Sequence, residues 1–261
     1  MNPFLMQSVI PFILAALIVI IITVIAERYG TKIGGIIGTL PHTIVVAFLF
    51  IAFNKGIDFA SLSVSIVPAE IGINIVFLLV FAILAHRSII TAAAASLIIW
   101  TILTSILFIS DLNNIYISIA IYIIIASLSL LFLEKYKKIS STGRVTVHYT
   151  PIKILIRGVL AGTIIAVAIL LSNIGPVLSG IFSVFPAILL STMIISVTEH
   201  GPRFAGGIGK AMIFGSPSVI SYAAAIHFLY PYYGIVNGTI MAYLISVIIA
   251  VLLFRFRVKI R

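Results

Sequence analysis

Five ionisable side chains fall within or at the edges of long apolar runs: His42, Glu70, Glu199, His200 and His227. Ionisable groups inside a membrane are costly and mark function. His42 follows Pro41 in the middle of one run, where only a cavity could supply water. Its imidazole titrates near neutral pH and could carry a proton. Glu70 stands four residues before Asn74, so a helix places both on one face. Glu70 and Glu199 are the two acids that could face a cation path, with Glu199 guarding one mouth. The competing readings are an interfacial residue for Glu70 and an end residue paired with Arg203 or Lys210 for Glu199. Pro41 and Pro186 each interrupt an apolar run, and proline removes a backbone donor and frees a carbonyl one turn back. Those carbonyls, near Ile37 and Phe182, could face a substrate or an ion, or could belong to ordinary packed kinks. Neither a phosphate-binding loop, a dinucleotide fingerprint nor a zinc-protease motif occurs. No metal site and no cofactor is expected.

The elements that must position these residues are membrane helices. Hydrophobic residues make up 62% of the 261 and charged residues 8%, against about a quarter charged in soluble domains. Mean hydropathy is +1.32. Absence of cysteine excludes disulfides, thiolate nucleophiles and Cys-ligated metals. A span needs about 20 apolar residues. Nine runs qualify, near 8–26, 33–53, 66–85, 88–108, 115–133, 153–172, 176–196, 211–229 and 234–254. The first lacks the flanks of a signal peptide and reads as a retained helix. The one long polar connection, 134–151, leaves no room for an aqueous catalytic or nucleic-acid-binding unit.

Charge placement gives an orientation. With nine spans, 15 of the 16 Lys and Arg residues fall on one side and only Lys55 on the other. The positive-inside rule makes the first side cytoplasmic, with the amino terminus outside and the carboxyl terminus inside a cell membrane. The net charge of +10 is thereby explained without nucleic acid, and the basic tail 255–261 can touch anionic lipid. Tyr230, Pro231, Tyr232 and Tyr233 read as a short outer loop with an interfacial aromatic belt.

A shift of 145 residues superposes Gly30, Gly35, Ile36, Pro41, Gly56, Phe59 and Ala60 on Gly175, Gly180, Ile181, Pro186, Gly201, Phe204 and Ala205. The same shift carries spans 1–4 onto spans 6–9 and leaves span 5 unmatched. Five spans is an odd number, so the halves have opposite orientation. The expected fold is an all-α membrane bundle: a four-helix repeat over 1–110, a linker helix and cytoplasmic loop over 111–151, and an inverted four-helix repeat over 152–261. Inverted repeats are typical of secondary transporters, whose sites lie near the midplane at the repeat interface. The glycines approaching each proline, among them Gly34, Gly38 and Gly180, read as close helix packing.

The run Ser179-Gly180-Ile181-Phe182-Ser183-Val184-Phe185-Pro186, followed by Glu199-His200-Gly201, resembles the GlpM-like family of small four-helix bacterial membrane proteins. The resemblance covers about residues 155–254. The first half keeps Gly35, Pro41 and Gly56 but has Leu40 for the Phe and Asn54 for the acid. It implies a membrane fold, duplicated and fused here, and no activity.

These features favour a secondary transporter of a small solute or ion, with His42 able to couple transport to protons. A passive ion channel of the same architecture and a non-transporting scaffold or assembly factor are the alternatives; an enzyme is not expected. The expected partners are that solute or ion and membrane lipid. The topology has a direct test. Single cysteines near Lys55 and near Tyr232 should react with an impermeant reagent added to intact cells, and one near Lys137 should not. Labelling near Lys137 would overturn the orientation.

Overall fold

A computed structural model describes residues 5–28, 40–135 and 150–259, and every regular element among them is helical. A short π-helical turn, Leu5–Val9, leads into α1 (Ile10–Arg28). There follow α2 (His42–Lys55), α3 (Ile57–Ser65), α4 (Val67–Leu84), α5 (Ile89–Ile109) and α6 (Ile115–Lys135). The second half holds α7 (Pro151–Leu171), α8 (Pro176–Ser183), α9 (Ala187–His200), α10 (Arg203–Gly215) and α11 (Pro217–Lys259). Gly30, Gly34, Gly35, Ile36 and Gly38, the Ile37 carbonyl and the loop around Lys137 lie outside the described residues.

Seven helical stretches among the described residues are long and apolar enough to cross a membrane. One, Phe204–Arg255, has 52 residues, which at 1.5 Å per residue is more than twice the ~30 Å hydrocarbon core. Inside it Gly234 takes φ 72°, a left-handed value that suits glycine. The chain folds back there. The Tyr230 hydroxyl lies 2.8 Å from Thr239 Oγ1, nine residues on, a reach no straight helix allows. The expected outer loop at Tyr230–Tyr233 is therefore helical up to this reversal. Tyr230 is fully buried, and Pro231, Tyr232 and Tyr233 are exposed.

Unlike that of a soluble bundle, the exterior is apolar, and small polar residues are found among the buried ones. Large apolar residues such as Ile90, Ile98, Ile102 and Ile106 of α5 point outward, while Ser96 on the same helix is fully buried. Serines also line the interior of α3, α8 and α9, where small polar residues let helices approach and hydrogen-bond. The third expected span, 66–85, corresponds to α4 (Val67–Leu84), with Glu70 in its first turn. The apolar stretch is longer, Ile57–Leu84, because α3 precedes it. Ser61, Ser63 and Ser65 of α3 are buried, and Ser65 bonds back to the Ser61 carbonyl at 2.9 Å.

Two segments 145 residues apart share their backbone geometry closely. Pro41 and Pro186 each precede a 14-residue helix, α2 and α9. The His42 N–H bonds to the Leu40 carbonyl and the Ala187 N–H to that of Phe185, both at 2.9 Å. The helices end at Gly56 and Gly201, with φ 90° and 82° and ψ 169° and 168°. Beyond these glycines the internal breaks differ. One falls at Ile66 and the other at Ser216, five residues later than a constant offset would place it. Each break just precedes or adjoins a proline, Pro68 or Pro217, which lacks a backbone donor.

Glycine sets two contacts that join the halves. α1 packs along α7 with numbering running in opposite directions: a Cβ at Gly158 would lie 2.6 Å from Ile20, and one at Gly162 would lie 2.6 Å from the Phe12 carbonyl. A Cβ at Gly180 of α8 would collide with the Ser63 carbonyl and the Ile66 side chain of the α3–α4 break. Gly180→Ala should therefore cost about 1–3 kcal/mol, the scale of overpacking. Gly209→Ala is the control, since its nearest neighbour is 4.0 Å away. Unfolding in detergent measures both, and equal stability of the two variants would contradict this packing.

Candidate functional site

A helix that stops inside an apolar bundle strands its last carbonyls and the first N–H groups of the helix that follows. α8 ends at Ser183 and α9 begins at Ala187, so Val184, Phe185 and Pro186 form such a gap. The sequence points to the Phe182 carbonyl as the one freed by Pro186. Phe182 instead accepts the Phe185 N–H at 3.2 Å within a tight turn. The carbonyl that is satisfied from another helix is that of Val184, which accepts the Asn74 side-chain amide of α4 at 2.8 Å. An aromatic cluster braces the gap from the other side. Trp100 of α5 meets Phe185 edge-on at 4.8 Å, and Phe182 stacks on Phe185 at 5.9 Å.

A cavity of about 210 Å³ opens between this gap and the start of α2. Pro41, His42, Thr43 and Ile44 line it on one side, and Val184, Phe185, Ile188 and Leu189 on the other. Both helix starts thus border one space, and neither has a side-chain cap. Asn74 contributes to the wall between them. The His42 Nδ1 lies 3.3 Å from the Tyr243 hydroxyl of α11.

The most polar wall residue is one that sequence reasoning counted as an end charge. Arg157 of α7 lines the cavity and is only 8% exposed. Its Nη1 donates to Ser191 Oγ at 3.1 Å and Thr192 Oγ1 at 2.8 Å on α9. A signal was available: Arg157 stands in the seventh position of α7, a turn inside Lys153, where a basic residue is expensive unless it faces polar groups.

The remaining candidates lie elsewhere. Glu70 does not line the cavity. It is fully buried between α4 and α5, where the Thr104 hydroxyl lies 3.0 and 3.1 Å from its two oxygens. Glu70 and Asn74, one turn apart on α4, therefore serve different partners. Glu199 lies outside the cavity wall and pairs with the Lys153 ammonium of α7, not with Lys210; nothing is described of the Arg203 side chain. Pro186 adjoins the cavity without being part of its wall. His200 stacks on Phe204 at 4.9 Å. His227 ties α11 to α3, with Nδ1 3.0 Å from the Ser61 carbonyl and 3.1 Å from Ser65 Oγ. Among the described residues no group of three His, Asp or Glu side chains could hold a metal ion.

Comparison with known proteins finds no curated protein and no solved structure that matches the chain. Residues 154–259, the half that carries Arg157, the α8–α9 gap and the motif resembling the GlpM-like proteins, match a family described as a protein of unknown function (DUF3147).

Proposed function

We propose that the chain is a membrane transporter of a small solute, working by alternating access at the cavity between the starts of α2 and α9. The single observation that carries this reading is that two helix starts, 145 residues apart with like backbone geometry, border one cavity, whose largely apolar wall also holds His42, Asn74 and Arg157. In this reading the bundle has nine spans, because Phe204–Arg255 must cross twice and α2, a shorter apolar helix, counts as a further one. The four-one-four arrangement is a duplication, with α6 inverting the second copy. The close antiparallel contact of α1 with α7 fits repeats related by a two-fold axis in the membrane plane. The amino terminus lies outside, and the carboxyl terminus lies in the cytoplasm of a cell whose plasma membrane holds the protein.

Transport then follows from the breaks. A helix interrupted at Val184–Pro186 can tilt its two parts separately, and exchange of geometry between the halves would open the cavity to alternate sides. His42 lies beside the path, with Tyr243 of α11 at hydrogen-bond range, and Arg157 of α7 lines the same cavity. Histidine is the side-chain type whose ordinary pKa lies nearest neutrality, and His42 is the one histidine among the described wall residues, so proton coupling is assigned to it.

Flux into proteoliposomes tests the reading, using acetate, lactate, inorganic phosphate, acetamide and methylammonium as probes. At least one should cross by a saturable, protein-dependent route, and vesicles that stay closed to all five would contradict it. His42→Ala should lower that flux about tenfold, the effect of losing roughly 1.4 kcal/mol, and flatten its dependence between pH 5 and 8. A variant that transports normally across that range would place the coupling elsewhere. Rates far above about a thousand per second would identify a channel in place of a conformational cycle.

A further inference from the structure

We infer that the cavity is an oxyanion site, built to take a small carboxylate or protonated phosphate-class anion with Arg157 as its principal ligand. The inference rests on the transport reading for its purpose but not for its chemistry. Among the described residues the wall carries one arginine and one histidine and no aspartate or glutamate. A guanidinium presents its donors in a planar fork that matches carboxylate and phosphate oxygens. Here Ser191 and Thr192 hold Nη1 from the α9 side, so the fork is oriented before any ligand arrives.

Two further features have the same sign. The second and third residues of both helix starts, Thr43 and Ile44 on α2 and Ile188 and Leu189 on α9, lie in the wall. Neither helix has a side-chain cap, so the donors and the positive dipole ends of both helices favour negative charge in the space between. Asn74 lines the wall and holds the α8–α9 gap in place through its amide bond to the Val184 carbonyl. The volume of about 210 Å³, above the ~150 Å³ that takes benzene and below the ~300 Å³ where pockets for drug-sized ligands begin, suits a ligand of about ten heavy atoms or fewer.

Binding can be read without transport. Trp100 is the sole tryptophan and packs on Phe185, a wall residue. Its fluorescence in the purified full-length protein should change saturably with sodium acetate, lactate or phosphate at constant ionic strength in sodium chloride. It should not change saturably with acetamide or methylammonium chloride. Arg157→Gln should weaken the best oxyanion about tenfold or more, the scale of a lost charge-assisted hydrogen bond. Should that variant not fold, Thr192→Val, which only releases the fork, should still weaken binding measurably. The inference is overturned if acetamide or methylammonium binds as well as the best oxyanion, if none of the three oxyanions binds, or if affinity is unchanged in the folded variants. Flux separates the two readings. Oxyanion binding lost in Arg157→Gln, without flux in the wild type, retains the site and removes the transporter. Flux of acetamide or methylammonium, without oxyanion binding, does the reverse.

Discussion

Everything at the cavity depends on the hydrogen bond from the Asn74 amide to the Val184 carbonyl. In an apolar bundle the backbone groups of a broken helix must be met by protein or face a water-filled cavity. Leaving a buried acceptor unmet costs about 1–3 kcal/mol. One polar side chain on α4 meets that cost at 2.8 Å. It lets α8 and α9 exist as separate helices, and so lets the start of α9 face a space and not a preceding turn. The aromatic contact of Trp100 with Phe185 fixes the same three residues from the opposite side.

The glycine contacts then decide where that gap lies. Gly180 brings α8 against the carbonyl of Ser63 and so seats it on the α3–α4 break. Gly158 and Gly162 bring α1 and α7 to backbone distance. α7 in turn carries Arg157 to the hydroxyls of α9. Small residues at helix crossings are the general means by which membrane helices associate where no hydrophobic force acts between them. Here the same crossings position a cation beside two helix starts.

Much of this was legible in the sequence. The apolar runs were, because lipid demands apolarity on every side of a helix and hydropathy reads that directly. The correspondence of Pro41 with Pro186 and of Gly56 with Gly201 was, because prolines and left-handed glycines leave few backbone choices. His42 and Asn74 were found as polar exceptions in apolar runs, and both line the cavity. Arg157 was passed over because a charge seven residues into a helix resembles a topology signal until its partners are known. Glu70 was found as an acid in an apolar run, but its partner was not: only tertiary contact shows that Thr104, 34 residues on, takes the carboxyl group. The aromatic brace likewise joins residues from separate helices, and no local pattern announces it.

The central claim is that the starts of α2 and α9 open on one water-filled space that reaches alternate sides of the membrane. The chain contains no cysteine, so single replacements at Thr43 and Ile188 can be labelled cleanly in sealed vesicles of known orientation. Both should react with a small, charged, membrane-impermeant thiosulfonate added to either side. A cysteine at the outward-facing Ile102 of α5 should not. Failure of both wall positions to react from either side, in protein shown to be folded, would contradict the account.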